Sequence, residues 1–90
     1  MSSLPMLDTM PNYPELVDFL VSPLLDDPKA LLVDAESTLG GQRVWLRVSF
    51  ASGDKGKVFG RGGRTIQAIR YVLEAAARTH NQQVHMEIFE

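Results

Sequence analysis

Cysteine is absent from the 90 residues. That removes disulfides, thiolate metal ligands and cysteine nucleophiles together, and it agrees with a reducing cytosol. No apolar run approaches the ~18 residues needed to cross a bilayer, so no membrane partner is expected. The opening residues, Met1-Ser2-Ser3-Leu4-Pro5, lack the basic start and apolar block of a secretion signal, and a soluble, cytoplasmic protein is expected. Histidine occurs only at His80 and His85. Both lie beyond the last predicted helix, and two imidazoles without a third ligand make no metal site. Asp34 and Glu36 stand two apart on one predicted strand face, a pattern that suits a solvated outer face better than an acid–base pair. No catalytic residue, metal or cofactor is therefore assigned, and an enzyme is not expected.

An overall excess of positive charge is also missing, since the net charge is −2. Its distribution is uneven. Residues 1–37 carry seven acids against Lys29 alone, whereas residues 55–78 carry six bases against Glu74 alone. Screening confines each charge to ~8–10 Å, so a basic segment on an acidic body can still attract an anion. A solvated, salt-bridged surface would show the same pattern, so charge alone decides nothing. An apolar fraction of 44% and a length of 90 residues suit one small domain with a modest core.

Residues 1–12 show no periodicity and are expected to form a flexible leader, with the domain occupying 13–90. Asn12 or Tyr13 suits a helix cap, Pro14 the first turn and Glu15 the positive end of the helix dipole. Leu16, Val17, Leu20 and Leu24 then recur at helical spacing, until Pro23 and Asp26-Asp27-Pro28 end the run. Residues 31–37 alternate between apolar and polar, as do residues 43–50, with Val44, Leu46, Val48 and Phe50 on one side. The Gly40-Gly41 pair between them completes an antiparallel hairpin. Asp54 can cap a short helix over 55–59, which Gly60 ends. Ile66, Ile69, Leu73 and Ala76, widened by Val72 and Ala77, give a long helix its apolar stripe. Arg70–Glu74 and Glu74–Arg78 stand four apart on its polar side. Val84, Met86 and Ile88 alternate in a last strand. The order α-β-β-α-α-β, with helices packed on one face of a three-stranded sheet, is an α+β fold.

The chemistry concentrates in residues 55–66, where four glycines (Gly56, Gly60, Gly62, Gly63) and four cations (Lys55, Lys57, Arg61, Arg64) share twelve positions. Glycine lets backbone approach a ligand closely, and the following helix would aim its free N–H groups at the same spot. A Walker phosphate loop is excluded, because Val58 follows Gly56-Lys57 and Ala51 stands where the first glycine belongs. A dinucleotide fingerprint fails because Thr65 replaces its third glycine, and no strand–helix–strand unit is expected. Helix, Gly60-Arg61-Gly62-Gly63, helix remains, a form that can lie flat against a phosphodiester chain.

With Val58-Phe59 before this loop and Arg64-Thr65-Ile66, Ile69 and Arg70 after it, the sequence resembles a KH domain of the prokaryotic type II form. In length and layout it is similar to the small bacterial single-KH proteins of the KhpA type. The resemblance covers about residues 13–89 and includes the Pro14-Glu15-Leu16 helix start, Asp54-Lys55-Gly56-Lys57-Val58 and the Ala75-Ala76-Ala77 run. It departs from the family's usual loop in Phe59, in Arg61 where lysine is common, and in the additional Gly62. The resemblance implies an RNA-binding protein that holds about four nucleotides of single-stranded RNA, with their backbone on Gly60 to Gly63. Lys55, Lys57, Arg61 and Arg64 would attract phosphate and Arg70 would flank them. Val58, Ile66 and Ile69 would either touch bases or fill the core. Three to four such contacts predict a salt slope of about −2 to −3. The resemblance further implies a homodimer or a pairing with a larger KhpB (Jag-like) KH protein, and roles in RNA chaperoning, post-transcriptional control and, in some bacteria, cell shape and peptidoglycan homeostasis.

Trp45 raises a second expectation. Alternation places it with Arg43 and Arg47, and with Phe89 and His85 of the last strand, on the sheet face away from the helices. Such a tryptophan can stack a base, anchor a partner, or simply be covered by arginine stems and cross-strand neighbours. The alternative to RNA binding is therefore an adaptor, whose loop and sheet surfaces mediate dimerisation while a partner binds RNA.

Overall fold

A computed structural model describes residues 11–89 of the chain. The first ten positions of the expected leader lie outside the described residues. Its last residue, Asn12, belongs to the first helix as its cap. The elements run α1 (Tyr13–Val21), β1 (Leu32–Thr38), β2 (Arg43–Ser49), α2 (Lys55–Phe59), α3 (Arg64–Arg78) and β3 (Gln83–Phe89). This is the predicted order, in two layers.

Local chemistry sets the ends of α1. The Asn12 side chain accepts a hydrogen bond from the Glu15 N–H at 3.1 Å, Pro14 occupies the first turn, and the chain tightens into a single turn at Ser22–Leu24 around Pro23. The buried stripe is Tyr13, Val17 and Val21, continued by Leu25. It is not the Leu16–Val17–Leu20–Leu24 set read from the sequence, because the aromatic ring of Tyr13 fixes the helix phase. Leu16, Leu20 and Leu24 pack half-buried around that stripe.

β1 and β2 pair antiparallel with Ala35 opposite Leu46. Their connection passes through positive φ at Leu39 as well as Gly40. β3 pairs parallel to β2, with Leu46 opposite Met86, so β2 is the central strand of the order β1-β2-β3. Parallel neighbours need a long crossover, and α2 with α3 supplies it. A strand–helix–strand unit is therefore present, contrary to the expectation from sequence. Thr65 at the third glycine position is then the observation that still excludes the dinucleotide fingerprint.

One core joins the layers. Val44, Leu46, Val48 and Met86 of the sheet meet Val17 and Val21 of α1, Val58 of α2, and Ile66, Ile69, Leu73 and Ala77 of α3. Full burial of a side chain such as Leu46 or Leu73 is worth roughly 1.5–3 kcal/mol. The α3 stripe closes on Ala77 where Ala76 was also expected, and Val72 faces solvent. A buried polar strut ties the far end together. The Tyr13 hydroxyl donates to Gln82 Oε1 at 2.5 Å, and Gln82 Nε2 donates to the Gly41 carbonyl at 2.6 Å.

Candidate nucleic-acid interface

The turn between α2 and α3 is built by glycine at positive φ. Gly60 ends α2 at φ 75°, ψ 175°, a conformation that side chains essentially never adopt. A Cβ there would overlap the Thr65 hydroxyl, 2.7 Å from Thr65 Cβ and 2.9 Å from its backbone nitrogen. Gly62 also has positive φ, 63°, but a Cβ on it would meet nothing within 4 Å. The first glycine is thus fixed by packing against α3, whereas Gly62 stands in the open at the crest. Gly63 is the N-cap of α3 and has no side chain to accept from the first-turn N–H groups. Arg61 and Arg64 flank the crest and are exposed. Among the described residues neither forms a salt bridge.

The two lysines of α2 are placed differently. Lys55 sits with its ammonium 5.7 Å from the centroid of the Phe59 ring. Lys57 forms an ion pair with Asp26, and its Nζ lies 3.9 Å from Asp54 Oδ1. The Asp26 hydrogen bond is the main cause that raises the Lys57 pKa. Val58 is fully buried, so it presents nothing to a base, and Ile66 and Ile69 are nearly so. All three belong to the core, whereas Arg61, Arg64 and Arg70 are exposed.

Asp54 does not cap α2 with its side chain, as the sequence suggested. Asp54 is buried, its side chain 3% exposed, and its carboxylate faces the segment after α1. There Oδ1 accepts from the Asp26 N–H at 3.0 Å and Oδ2 from the Asp27 N–H at 3.1 Å. Those backbone donors, the Asp26 N–H first, hold the carboxyl below its usual pKa, against the opposing effect of burial. This latch fixes where α2, and with it the glycine turn, begins.

Beside α3 lies a groove of about 440 Å³, open along the edge strand β3. Arg70, Glu74 and Arg78 line one wall, Gln83 and His85 the other, and Leu73 and Met86 contribute apolar surface. Among the described residues Glu74 forms no ion pair with either arginine, so the expected i,i+4 pairs are not made. The three charged side chains flank the groove instead. The sequence showed this polar stripe but not the strand opposite it, because that pairing is long-range.

On the other sheet face, Trp45 stands between Glu36 and His85 in register and stacks on the His85 ring, centroids 4.6 Å apart at 14°. Arg47 reaches Glu36 at 3.1 Å and Asp34 at 3.6 Å. Arg43 contacts Gln83 Oε1 at 3.5 Å. The expected grouping of Arg43, Trp45, Arg47 and Phe89 on one face is present. The Arg47 charge is answered by β1 carboxylates while, among the described residues, Arg43 meets only the neutral Gln83 amide, and Phe89 is 47% and Leu32 68% exposed at one end.

A family model for the KhpA/KhpB KH domain matches residues 14–88. The chain belongs to this family. The RNA-binding protein KhpA of Bacillus subtilis is 40% identical over 76 residues, covering 84% of this chain and 91% of that protein. The RNA-binding protein KhpA of Clostridium perfringens is 38% identical over 74 residues, covering 82% and 96%. That of Chlamydia trachomatis is 36% identical over 76 residues, covering 84% and 95%. No solved structure matches the chain. The KhpA/KhpB family consists of KH domains and is not an enzyme family. Among the described residues no cluster of three His, Asp or Glu could hold a metal ion, and no helix is long and apolar enough to cross a membrane. In this KH domain the Gly-x-x-Gly turn is Gly60 to Gly63, at the start of α3, and the groove lies further along the same helix, from Arg70 to Arg78.

Proposed function

We propose that this KH domain binds single-stranded RNA, with the sugar–phosphate backbone on the Gly60–Gly63 turn and bases directed into the groove between α3 and β3. The open crest at Gly62, flanked by exposed Arg61 and Arg64 at the uncapped start of a fifteen-residue helix, carries this reading. Arg70 continues the positive line along the groove wall. Lys55 and Lys57 take part only after leaving their present contacts. The KH unit occupies 13–90, and its setting is cytoplasmic.

Two or three phosphate contacts make weak, salt-sensitive binding by one domain. This supports action as a homodimer or beside a KhpB-type KH partner, in RNA chaperoning and post-transcriptional control. A link to cell shape and peptidoglycan homeostasis follows from the family resemblance. A second role as an adaptor is favoured by the solvent-facing Trp45–His85 stack with Leu32 and Phe89 exposed on the same sheet face. Under that role purified protein ignores RNA at low salt and co-purifies with a second KH protein.

The deciding experiment changes Arg61 and Gly62 together to Asp. Gly62 has room for a side chain, and Asp tolerates its left-handed backbone, so the melting temperature stays close to the parent's. Affinity for single-stranded RNA should fall by more than about tenfold, since two repulsive charges replace one attractive one at the crest. Unchanged affinity would rule the turn out as the contact.

A further inference from the structure

Lys57 lies three residues before Gly60 on the helix that leads into the turn. That is roughly 4.5 Å of helix rise, well inside the ~8 Å over which charge acts at physiological salt. Yet its ammonium is held by Asp26, from the segment that follows α1. The Asp26 position is itself fixed, because its backbone N–H donates to the buried Asp54 carboxylate. Asp54 is the more distant, weaker partner of the lysine. Both of its oxygens already accept backbone hydrogen bonds, and the ammonium stands 3.9 Å away. The Asp26 side chain is 80% exposed and that of Lys57 49%, so water surrounds the pair and it opens at little cost.

We propose that Asp26 restrains RNA binding by sequestering the Lys57 ammonium, which becomes an additional phosphate contact when the pair opens. This rests on the placement of the RNA backbone at the Gly60–Gly63 turn. Asp26 sets the affinity and salt response of the domain without touching the ligand, and its partner is the lysine's flexible four-carbon stem, which can swing between carboxylate and phosphate. A substrate phosphate competes with Asp26 for one cation, so binding by the parent protein is weaker than its count of basic residues implies.

A double-mutant cycle tests this with the full chain and a short, unstructured uridine oligoribonucleotide followed by fluorescence anisotropy. Asp26→Asn keeps the backbone donor to Asp54 and removes only the charge. It should tighten binding by about two- to fivefold, the value of one exposed ion pair expressed as an equilibrium constant. The log–log salt slope should steepen by about 0.7, one further phosphate contact on a single strand. In a Lys57→Gln background the same change should give no gain. Equal gains in both backgrounds would show that Asp26 acts by general repulsion and would overturn the proposal, as would an Asp26→Asn protein that binds no tighter. If the parent protein binds the RNA but the Arg61→Asp, Gly62→Asp variant binds equally well, the placement of the RNA fails first and this inference falls with it.

Discussion

Replacing Gly60 with alanine should strongly destabilise the domain, whereas the same change at Gly62 should cost only about 1 kcal/mol. At Gly60 the backbone lies at φ 75°, ψ 175°, a glycine-only region worth about 1–3 kcal/mol of strain for any other residue. The new methyl would overlap the Thr65 side chain and press on its backbone nitrogen. Overpacking of that kind adds about 1–3 kcal/mol. Together these come to about 2–6 kcal/mol, a large share of the roughly 5–14 kcal/mol that a chain of this size possesses. At Gly62 the cost is the left-handed conformation alone, about 1 kcal/mol, because nothing lies within 4 Å. Urea unfolding followed by far-ultraviolet circular dichroism measures both. With a slope near 1 kcal/mol per molar, the midpoint should fall by about 2–6 M for Gly60→Ala and by about 1 M for Gly62→Ala. Adding Thr65→Ala should not rescue Gly60→Ala, since the Thr65 Cβ and nitrogen positions remain. Equal midpoints for the two alanine variants would refute the assignment of Gly60 to packing and Gly62 to the open crest.

Asp54 should show itself in acid. Its folded pKa is depressed, so its stabilising effect is complete above the ordinary carboxylate pKa and is lost as pH falls below about 4 toward the folded value. Asp54→Asn should therefore be less stable at neutral pH and lose less on acidification, which urea midpoints across the acid range will show. Tyr13→Phe removes the buried hydrogen bond from the Tyr13 hydroxyl to Gln82 Oε1 and should cost about 0.5–1.5 kcal/mol by thermal or urea unfolding. Leu73→Ala, in the centre of the core, should cost about 2–5 kcal/mol by the same measurements. With Arg61, Arg64 and Arg70 as phosphate contacts, the salt slope of RNA binding should be about −2, and a slope near zero would argue against an electrostatic contact.

The glycine turn was legible because its information is local. Glycine spacing, flanking cations and the start of an apolar stripe all fall within residues 55–69. The element order followed from alternation and helical periodicity for the same reason. What the sequence concealed is carried by distant residues. Asp54 finds its donors 27 and 28 positions away, and Lys57 finds Asp26 at a separation of 31. A capping role for Asp54 was the expectation without them. The groove needed the parallel pairing of β3 with β2, which sets Gln83 and His85 opposite Arg70 and Arg78. The phase of α1 is set by Tyr13, the first residue of the helix, which sinks its ring into the core while its hydroxyl meets Gln82, a partner 69 positions away.

Nuclear magnetic resonance of the nitrogen-labelled domain, titrated with short single-stranded RNA, addresses the centre of the account. The amides of Gly60 to Arg64 should move first and furthest, followed by those of Gln83 to Met86 along the groove. Shifts confined to Trp45, Arg47 and their neighbours on the opposite sheet face, with the glycine turn unmoved, would contradict it.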